Sequence, residues 1–359
     1  MNATQQVTSL GQSLWLDNLS RSLIHDGTLA RLIAEDGISG VTSNPSIFQN
    51  ALASSPYYAD DLAKLRASEP DTERRYEALV IPDIQAACDL LLPTFAASGG
   101  KDGYVSLEVA PRWAYDAART VAEAQRLSSL VNRRNLLVKV PGTPAGVSAF
   151  ETLTRLGINV NVTLLFSLAQ TEAAFDAYIR GLTARVQAGA DVRSSRAVAS
   201  LFLSRVDTLI DTQLGSIGTP EALALRGKAA VAMAKLAYQR YQDIFHGPAF
   251  AVLAQQDATP QHLLWASTGV KNPAYSDLLY VEPLIGRETI NTLPDKTLAA
   301  LTDHGQAVLT LENGVNEAAA LFSALDHLGV RMEGIGASLQ TDGVNLFAAA
   351  FDKLLAQTA

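Results

Sequence analysis

Short apolar runs that read as strands alternate with helical patterns along most of this chain, and that alternation restricts the fold more than any other feature. Strand-like runs fall at Leu14–Leu19, Gly40–Asn44, Tyr104–Val109, Leu136–Pro141, Asn159–Leu165, Arg196–Leu203 and His262–Ser267, with a weaker eighth near Tyr280–Pro283. Between them lie segments with apolar residues at helical spacing. In Tyr115–Asn132 these are Ala118, Val121, Ala124 and Leu127; in Thr143–Leu156 they are Val147, Phe150 and Leu153, with Gly157 placed to stop the helix. Ser167–Ala188 and Glu221–Phe245 continue the pattern, the latter too long for a simple crossover.

Strand–helix alternation predicts a parallel sheet with buried strands. Eight such units favour a single (β/α)₈ barrel of TIM type, which takes about 250 residues and tolerates insertions. The chain has 359 residues, and the excess sits in two helical regions. One is Ser54–Ala97, after the second strand. The other is a tail over about 298–359, containing amphipathic Asn313–Leu328 and Thr341–Thr358 and expected to pack on the barrel exterior. No linker-like tract, repeat or low-complexity block divides the chain, so one domain over 1–359 is expected. A doubly wound open sheet is the alternative. The absence of G-x-G-x-x-G and G-x-x-x-x-G-K-[ST] weakens its nucleotide-binding version.

Composition narrows the function. With 48% hydrophobic and 18% charged residues the chain can build a large core. A net charge of -8 argues against nucleic acid or a polybasic membrane contact as partner. Cys88 is the only cysteine, which excludes internal disulfides and Cys-rich metal sites. No uncharged apolar stretch reaches the roughly 18 residues that span a bilayer, and the N-terminal residues lack a secretory pattern. A cytoplasmic protein, monomer or homodimer, is expected, with no metal.

One strand carries an anomaly. Lys139 interrupts Leu136-Leu137-Val138-Lys139-Val140-Pro141, where burying a lone ammonium costs several kcal/mol. Desolvation favours the neutral amine, the form that attacks a carbonyl to make a Schiff base. On the hexapeptide alone, a strand-end lysine snorkelling to water is the favoured reading. The neighbouring strands shift the balance, because in a barrel function sits near their C-terminal ends. Asp17, Asn44, Glu108, Asn161 with Thr163, Ser200 and Ser267 all lie at such ends, and Arg205 follows Phe202 by three residues. Each has a plainer reading. Asp17 and Asn44 suit helix caps, Glu108 an exposed strand end, Asn161 and Thr163 a buried ladder, Arg205 a solvated loop, and the serines small core positions. Their coincidence favours a site, since a Schiff-base lysine needs a carboxylate, a hydroxyl and a further acid–base group.

With these residues collected, the chain closely resembles the transaldolase family, most of all its longer bacterial members. The resemblance rests on Asp36-Gly37-Ile38-Ser39-Gly40-Val41-Thr42-Ser43-Asn44-Pro45-Ser46-Ile47-Phe48, on Ser106-Leu107-Glu108-Val109, on Leu137-Val138-Lys139-Val140-Pro141 and on the run from Gly157 to Ser167. Similarity extends through Trp265–Pro273 into the tail, covering almost the whole chain. It implies a cofactor-free Schiff-base transferase of the non-oxidative pentose phosphate pathway, acting on sugar phosphates. By that analogy Lys139 attacks sedoheptulose 7-phosphate, and Glu108 shuttles protons through a water held with Thr163. Asp17 takes the C4 hydroxyl proton, erythrose 4-phosphate leaves, and Asn44 and Asn161 hold the dihydroxyacetone unit. That unit passes to glyceraldehyde 3-phosphate, giving fructose 6-phosphate. Arg205 matches the phosphate-binding arginine, with Ser200, Phe202 and Ser267 beside it.

One departure stands out. Many relatives carry a second arginine two residues after the position of Ser267; here the run is Ser267-Thr268-Gly269-Val270-Lys271, which makes Lys271 the candidate. Lysine is a point charge where arginine binds bidentately, so a solvated surface lysine is the competing reading. Rival functions are an aldolase releasing free dihydroxyacetone from fructose 6-phosphate, a non-catalytic barrel, and a pyridoxal-phosphate enzyme. Glu108 and the chain length speak against the first, since the short relatives with that activity usually carry glutamine there. The complete set of Asp17, Glu108, Lys139 and Thr163 speaks against the second, and the lack of a glycine-rich phosphate cup against the third.

Overall fold

Leu136–Pro141, Val160–Leu165 and Ala197–Phe202 are strands buried at every position, which is why their sequences are near-continuous apolar runs rather than alternating ones. In the computed structural model, which describes residues Met1–Ala359, eight parallel strands close into a barrel in chain order. They are β1 Gln12–Leu16, β2 Ile38–Thr42, β3 Tyr104–Glu108, β4 Leu136–Pro141, β5 Val160–Leu165, β6 Ala197–Phe202, β7 His262–Ala266 and β8 Thr289–Leu293. With helices between successive strands this is the expected (β/α)₈ barrel. The first seven strands fall where the sequence predicts them, within a few residues at each end.

The eighth does not. Tyr280–Pro283 forms a turn and the start of a 3₁₀ helix, Glu282–Leu284. Pro283 cannot donate to a ladder, and Tyr280 is buried with its hydroxyl donating to Asp207 Oδ2 at 2.9 Å. The true β8, Thr-Ile-Asn-Thr-Leu, is buried throughout but carries three polar side chains, which mask an apolar signal. Thr292 and Thr42 hydroxyls lie 2.7 Å apart, and Asn291 Nδ2 donates to the Tyr280 carbonyl at 3.0 Å.

Local chemistry sets the helix ends. Thr143 Oγ1 accepts from Gly146 N at 3.0 Å to cap Pro144–Leu156, which stops at Gly157 in the left-handed region. The expected long helix Glu221–Phe245 is broken into Pro220–Ala224 and Ala229–Phe245, with Gly227 at φ 68° between them. By length and composition alone, Thr72–Ala97 is apolar enough to cross a membrane, and half of that window is buried. Within this helix, Asp83 receives the Arg21 guanidinium at 2.9 Å and the Tyr58 hydroxyl at 2.8 Å.

The C-terminal region departs from a simple exterior layer. Asp295–His304 is the helix that follows β8, and Val315–His327 packs on Ala229–Phe245. The final helix, Met332–Thr358, instead crosses the loops at the C-terminal ends of the strands. It packs against Pro45–Ser54, Thr72–Ala97 and β5, and its Phe347 reaches the cavity that holds Lys139. An apolar stripe on this helix had two buried destinations available, and the pattern of the stripe does not distinguish them.

Candidate active site

Register places three polar side chains in one layer of the barrel. Glu108 of β3 pairs with Lys139 of β4, and Lys139 with Asn161 of β5. Lys139 is 5% exposed. Its Nζ lies 2.7 Å from Glu108 Oε1 and donates to the Ser43 carbonyl at 3.0 Å. The strand-end snorkel is therefore not what the fold builds: the ammonium is buried and ion-paired. Burial pushes the Glu108 carboxyl above its ordinary value, with Lys139 pulling the other way.

Above this pair opens a cavity of about 160 Å³. Asp17, Asn44, Thr163, Ser200, Phe202, Arg205 and Ser267 line it together with Lys139. Asp17 does not cap a helix; Ser20 does that for Arg21–His25. Asp17 Oδ1 instead accepts from Thr42 Oγ1 at 2.8 Å. Burial raises its pKa, opposed by Lys139, the Thr42 hydrogen bond and Lys271. Asn44 caps a helix and also lines the cavity. Its Oδ1 accepts from Ile47 N at 3.0 Å to cap Pro45–Ser54, and its side-chain amide remains on the cavity wall.

Asn161 lies just beneath the cavity. Its Nδ2 donates to Ser106 Oγ at 3.1 Å, and its Oδ1 accepts from Ser200 Oγ at 2.7 Å, so it orients a hydroxyl that does reach the cavity. Ser267 takes a left-handed φ of 55°, and its Oγ lies 2.8 Å from Ser204 Oγ. Two residues lining the cavity have a buried polar atom without a protein partner: Thr163 at Oγ1 and Arg205 at Nη1. The Arg205 guanidinium sits 5.8 Å from the Phe202 ring centroid, and burial depresses its pKa. An unpartnered, desolvated cation at a cavity wall is a receptor for an anion.

Lys271 stands apart. It is exposed and lines a neighbouring cavity of about 240 Å³ with Asp207, Asp211 and Arg226, reaching the main site only through its charge on Asp17. Sequence reasoning missed Thr42, Ser46, Thr292 and Phe347, all on the cavity wall. Thr42 ends β2 two residues before Asn44, a signal that alternation along the extended chain offers. Phe347 carries no local signal at all. Elsewhere, Glu73, Glu77 and Glu123 approach within 4.8 Å of one another, but Arg112 and Arg126 already pair with them.

A buried amine paired with a carboxylate, a second carboxylate across the cavity and an unpartnered arginine at its wall can do Schiff-base chemistry on an anionic carbonyl compound. Comparisons with known proteins agree. A family model described as transaldolase/fructose-6-phosphate aldolase matches residues 14–358. A transaldolase of Thiobacillus denitrificans is 70% identical over 357 residues, covering 99% of each chain. One of Neisseria gonorrhoeae is 49% identical, again over 99% of each chain, and transaldolase 1 of Streptomyces coelicolor is 46% identical over 99% of this chain and 93% of its own. The Lys139 cavity is thus set in a chain that belongs to the transaldolase/fructose-6-phosphate aldolase family.

Proposed function

We infer that this chain is a transaldolase, moving a dihydroxyacetone unit from a ketose phosphate to an aldose phosphate in the non-oxidative pentose phosphate pathway. The observation that carries the reading is the 2.7 Å Lys139–Glu108 pair at the floor of the cavity. Transfer of a proton from the Lys139 ammonium to Glu108 frees the amine, which adds to C2 of sedoheptulose 7-phosphate. Glu108, working through a water held by the Thr163 hydroxyl, protonates the departing carbinolamine hydroxyl, and loss of water leaves an iminium. Asp17 then takes the proton of the C4 hydroxyl. The C3–C4 bond breaks, erythrose 4-phosphate leaves, and the electron pair enters the iminium to give an enamine on Lys139.

Asn44 and the Asn161–Ser200 pair supply hydrogen bonds to the enamine hydroxyls. Attack of the enamine on glyceraldehyde 3-phosphate returns the Asp17 proton to the new hydroxyl, and hydrolysis releases fructose 6-phosphate. Arg205 holds the phosphate, with Ser267 beside it and Lys271 adding its charge from the rim. The raised pKa values of Asp17 and Glu108 suit groups that must both take and return a proton.

The test is acceptor dependence. With fructose 6-phosphate as donor, rapid turnover is expected only when erythrose 4-phosphate is added. Release of free dihydroxyacetone at a similar rate without an acceptor would assign the chain to the aldolase branch instead.

A further inference from the structure

The final helix does more than close one side of the cavity. Gln340, buried within Met332–Thr358, donates from Nε2 to two carbonyls: Gly142 at 2.8 Å and Leu164 at 3.1 Å. These carbonyls flank the two catalytic strands, Gly142 just after β4 and Leu164 just after Thr163 on β5. The strands are tied to each other there as well, since Gly142 N donates to the Thr163 carbonyl at 2.6 Å. One primary amide has two N–H groups, and both are used on this seam.

The seam is strained. Leu164 has φ 61°, a left-handed conformation in which the Cβ of an L-residue crowds the following carbonyl oxygen. Pairing of β5 with β6 slips at this point, between Val162 and Leu165. A backbone held off its preferred conformation persists only when its surroundings impose it, and the helix supplies that imposition. Gly336 and Gly343, four residues before and three after Gln340, bring the helix close. A Cβ on Gly336 would lie 2.8 Å from Ser167 Cβ, and one on Gly343 3.0 Å from Leu164 Cδ2. The next residues along the helix, Val344 and Phe347, close a small chamber with Glu108, Pro141, Thr163 and Leu164. Its volume is about 10 Å³, about the space a single water needs.

We propose that Gln340 is a positioning residue for catalysis: by clamping the Gly142 and Leu164 carbonyls it holds the Thr163 hydroxyl toward Glu108 and Lys139, and so couples docking of the final helix to proton transfer during iminium formation and hydrolysis. The proposal rests on the role given to Thr163 in the proposed function. Gln340 touches no reacting atom. Its effect falls on the water-dependent steps, leaving substrate binding at Arg205 intact.

Gln340→Met keeps the length of the side chain and removes both donors, and Gln340→Glu sets a carboxylate against two carbonyl oxygens. The experiment measures single-turnover formation of the borohydride-trappable adduct from fructose 6-phosphate, together with KM and thermal stability, in both variants, in Thr163→Ala and in Thr163→Ala/Gln340→Met. Misplacing a catalytic group by about 1 Å can cost about 100-fold, and a smaller displacement on the order of 10-fold. Adduct formation is expected to slow by a factor in that range in Gln340→Met, and further in Gln340→Glu, with KM within about 2-fold. The double variant is expected to be no slower than Thr163→Ala, because two residues acting through one group are not additive.

A Gln340→Met enzyme that forms adduct at the wild-type rate, with Thr163→Ala slow, overturns the clamp and leaves the Thr163 role standing. A wild-type rate in Thr163→Ala overturns that role and the clamp with it. Fully additive losses, or a Gln340→Met defect that merely tracks the folded fraction, reduce Gln340 to a structural contact.

Discussion

The two ends of this barrel both bury carboxylates, and they treat them in opposite ways. At the N-terminal ends of the strands, Asp102 accepts from the Ser13 hydroxyl, from Trp15 Nε1 at 2.9 Å and from the amide of Gly103 at 2.8 Å. Each donor is neutral and fixed by a strand or its first turn. At the C-terminal ends, Glu108 faces one buried cation across 2.7 Å, Asp17 takes a single hydroxyl, and Thr163 and Arg205 keep polar atoms without protein partners. Saturated donors and acceptors brace a fold. Incomplete ones, gathered around a cavity, are available to a substrate. Burial raises the pKa of all three carboxyls, so burial alone would not tell the two ends apart.

Substitutions can break or sharpen this contrast. The largest effect is expected at Lys139: Lys139→Ala removes the nucleophile and lowers kcat by about 10⁴-fold or more. Residual transfer activity within 100-fold of wild type would place the chemistry elsewhere. Next is Arg205→Ala. A charge-assisted contact is worth about 1.5–3 kcal/mol, so kcat/KM for a phosphorylated donor falls about 10- to 100-fold, mostly through KM. For an unphosphorylated ketose the same substitution is expected to change little, and an equal loss on both donors would remove Arg205 from the phosphate site.

The opposite signature is expected at the other end of the barrel. Asp102→Ala strands three donors and lowers unfolding stability by about 2–4 kcal/mol, read by urea denaturation, while kcat of the folded enzyme stays near wild type. A selective loss of kcat there would dissolve the contrast between the ends. The smallest effect is on pH dependence. Asp17 must be ionised to accept a proton, and its raised pKa puts the acid limb of kcat/KM above the ordinary carboxylate range. The Thr42 hydrogen bond favours the ionised form. Thr42→Val therefore moves that limb to higher pH with the plateau nearly unchanged, and a limb moving to lower pH would contradict the assignment.

The contrast also explains what the sequence made legible. Seven strands were visible because they are apolar and buried on both faces, and Lys139 was visible because it violates that rule. β8 was hidden by Thr289, Asn291 and Thr292, which are buried and hydrogen-bonded through Gly286, Tyr280 and Thr42, while Tyr280–Pro283 imitated a strand by being buried in a turn. At the site, Asp17, Asn44, Glu108 and Thr163 were legible from their places at strand ends. Lys271 was not, since its distance from the cavity depends on how the chain turns after the left-handed Ser267. Phe347 and Gln340 lie some 200 residues from the strands they meet. Nothing within their own helix distinguishes a stripe facing the barrel wall from one facing its mouth.

The central claim is that the buried amine of Lys139 carries the substrate. The most direct test is borohydride reduction in the presence of fructose 6-phosphate, followed by peptide mass mapping. The account predicts one reduced dihydroxyacetone or hexose phosphate adduct, confined to the peptide containing Lys139 and missing in Lys139→Ala. Labelling at a different lysine, or turnover with no trappable adduct, would contradict it.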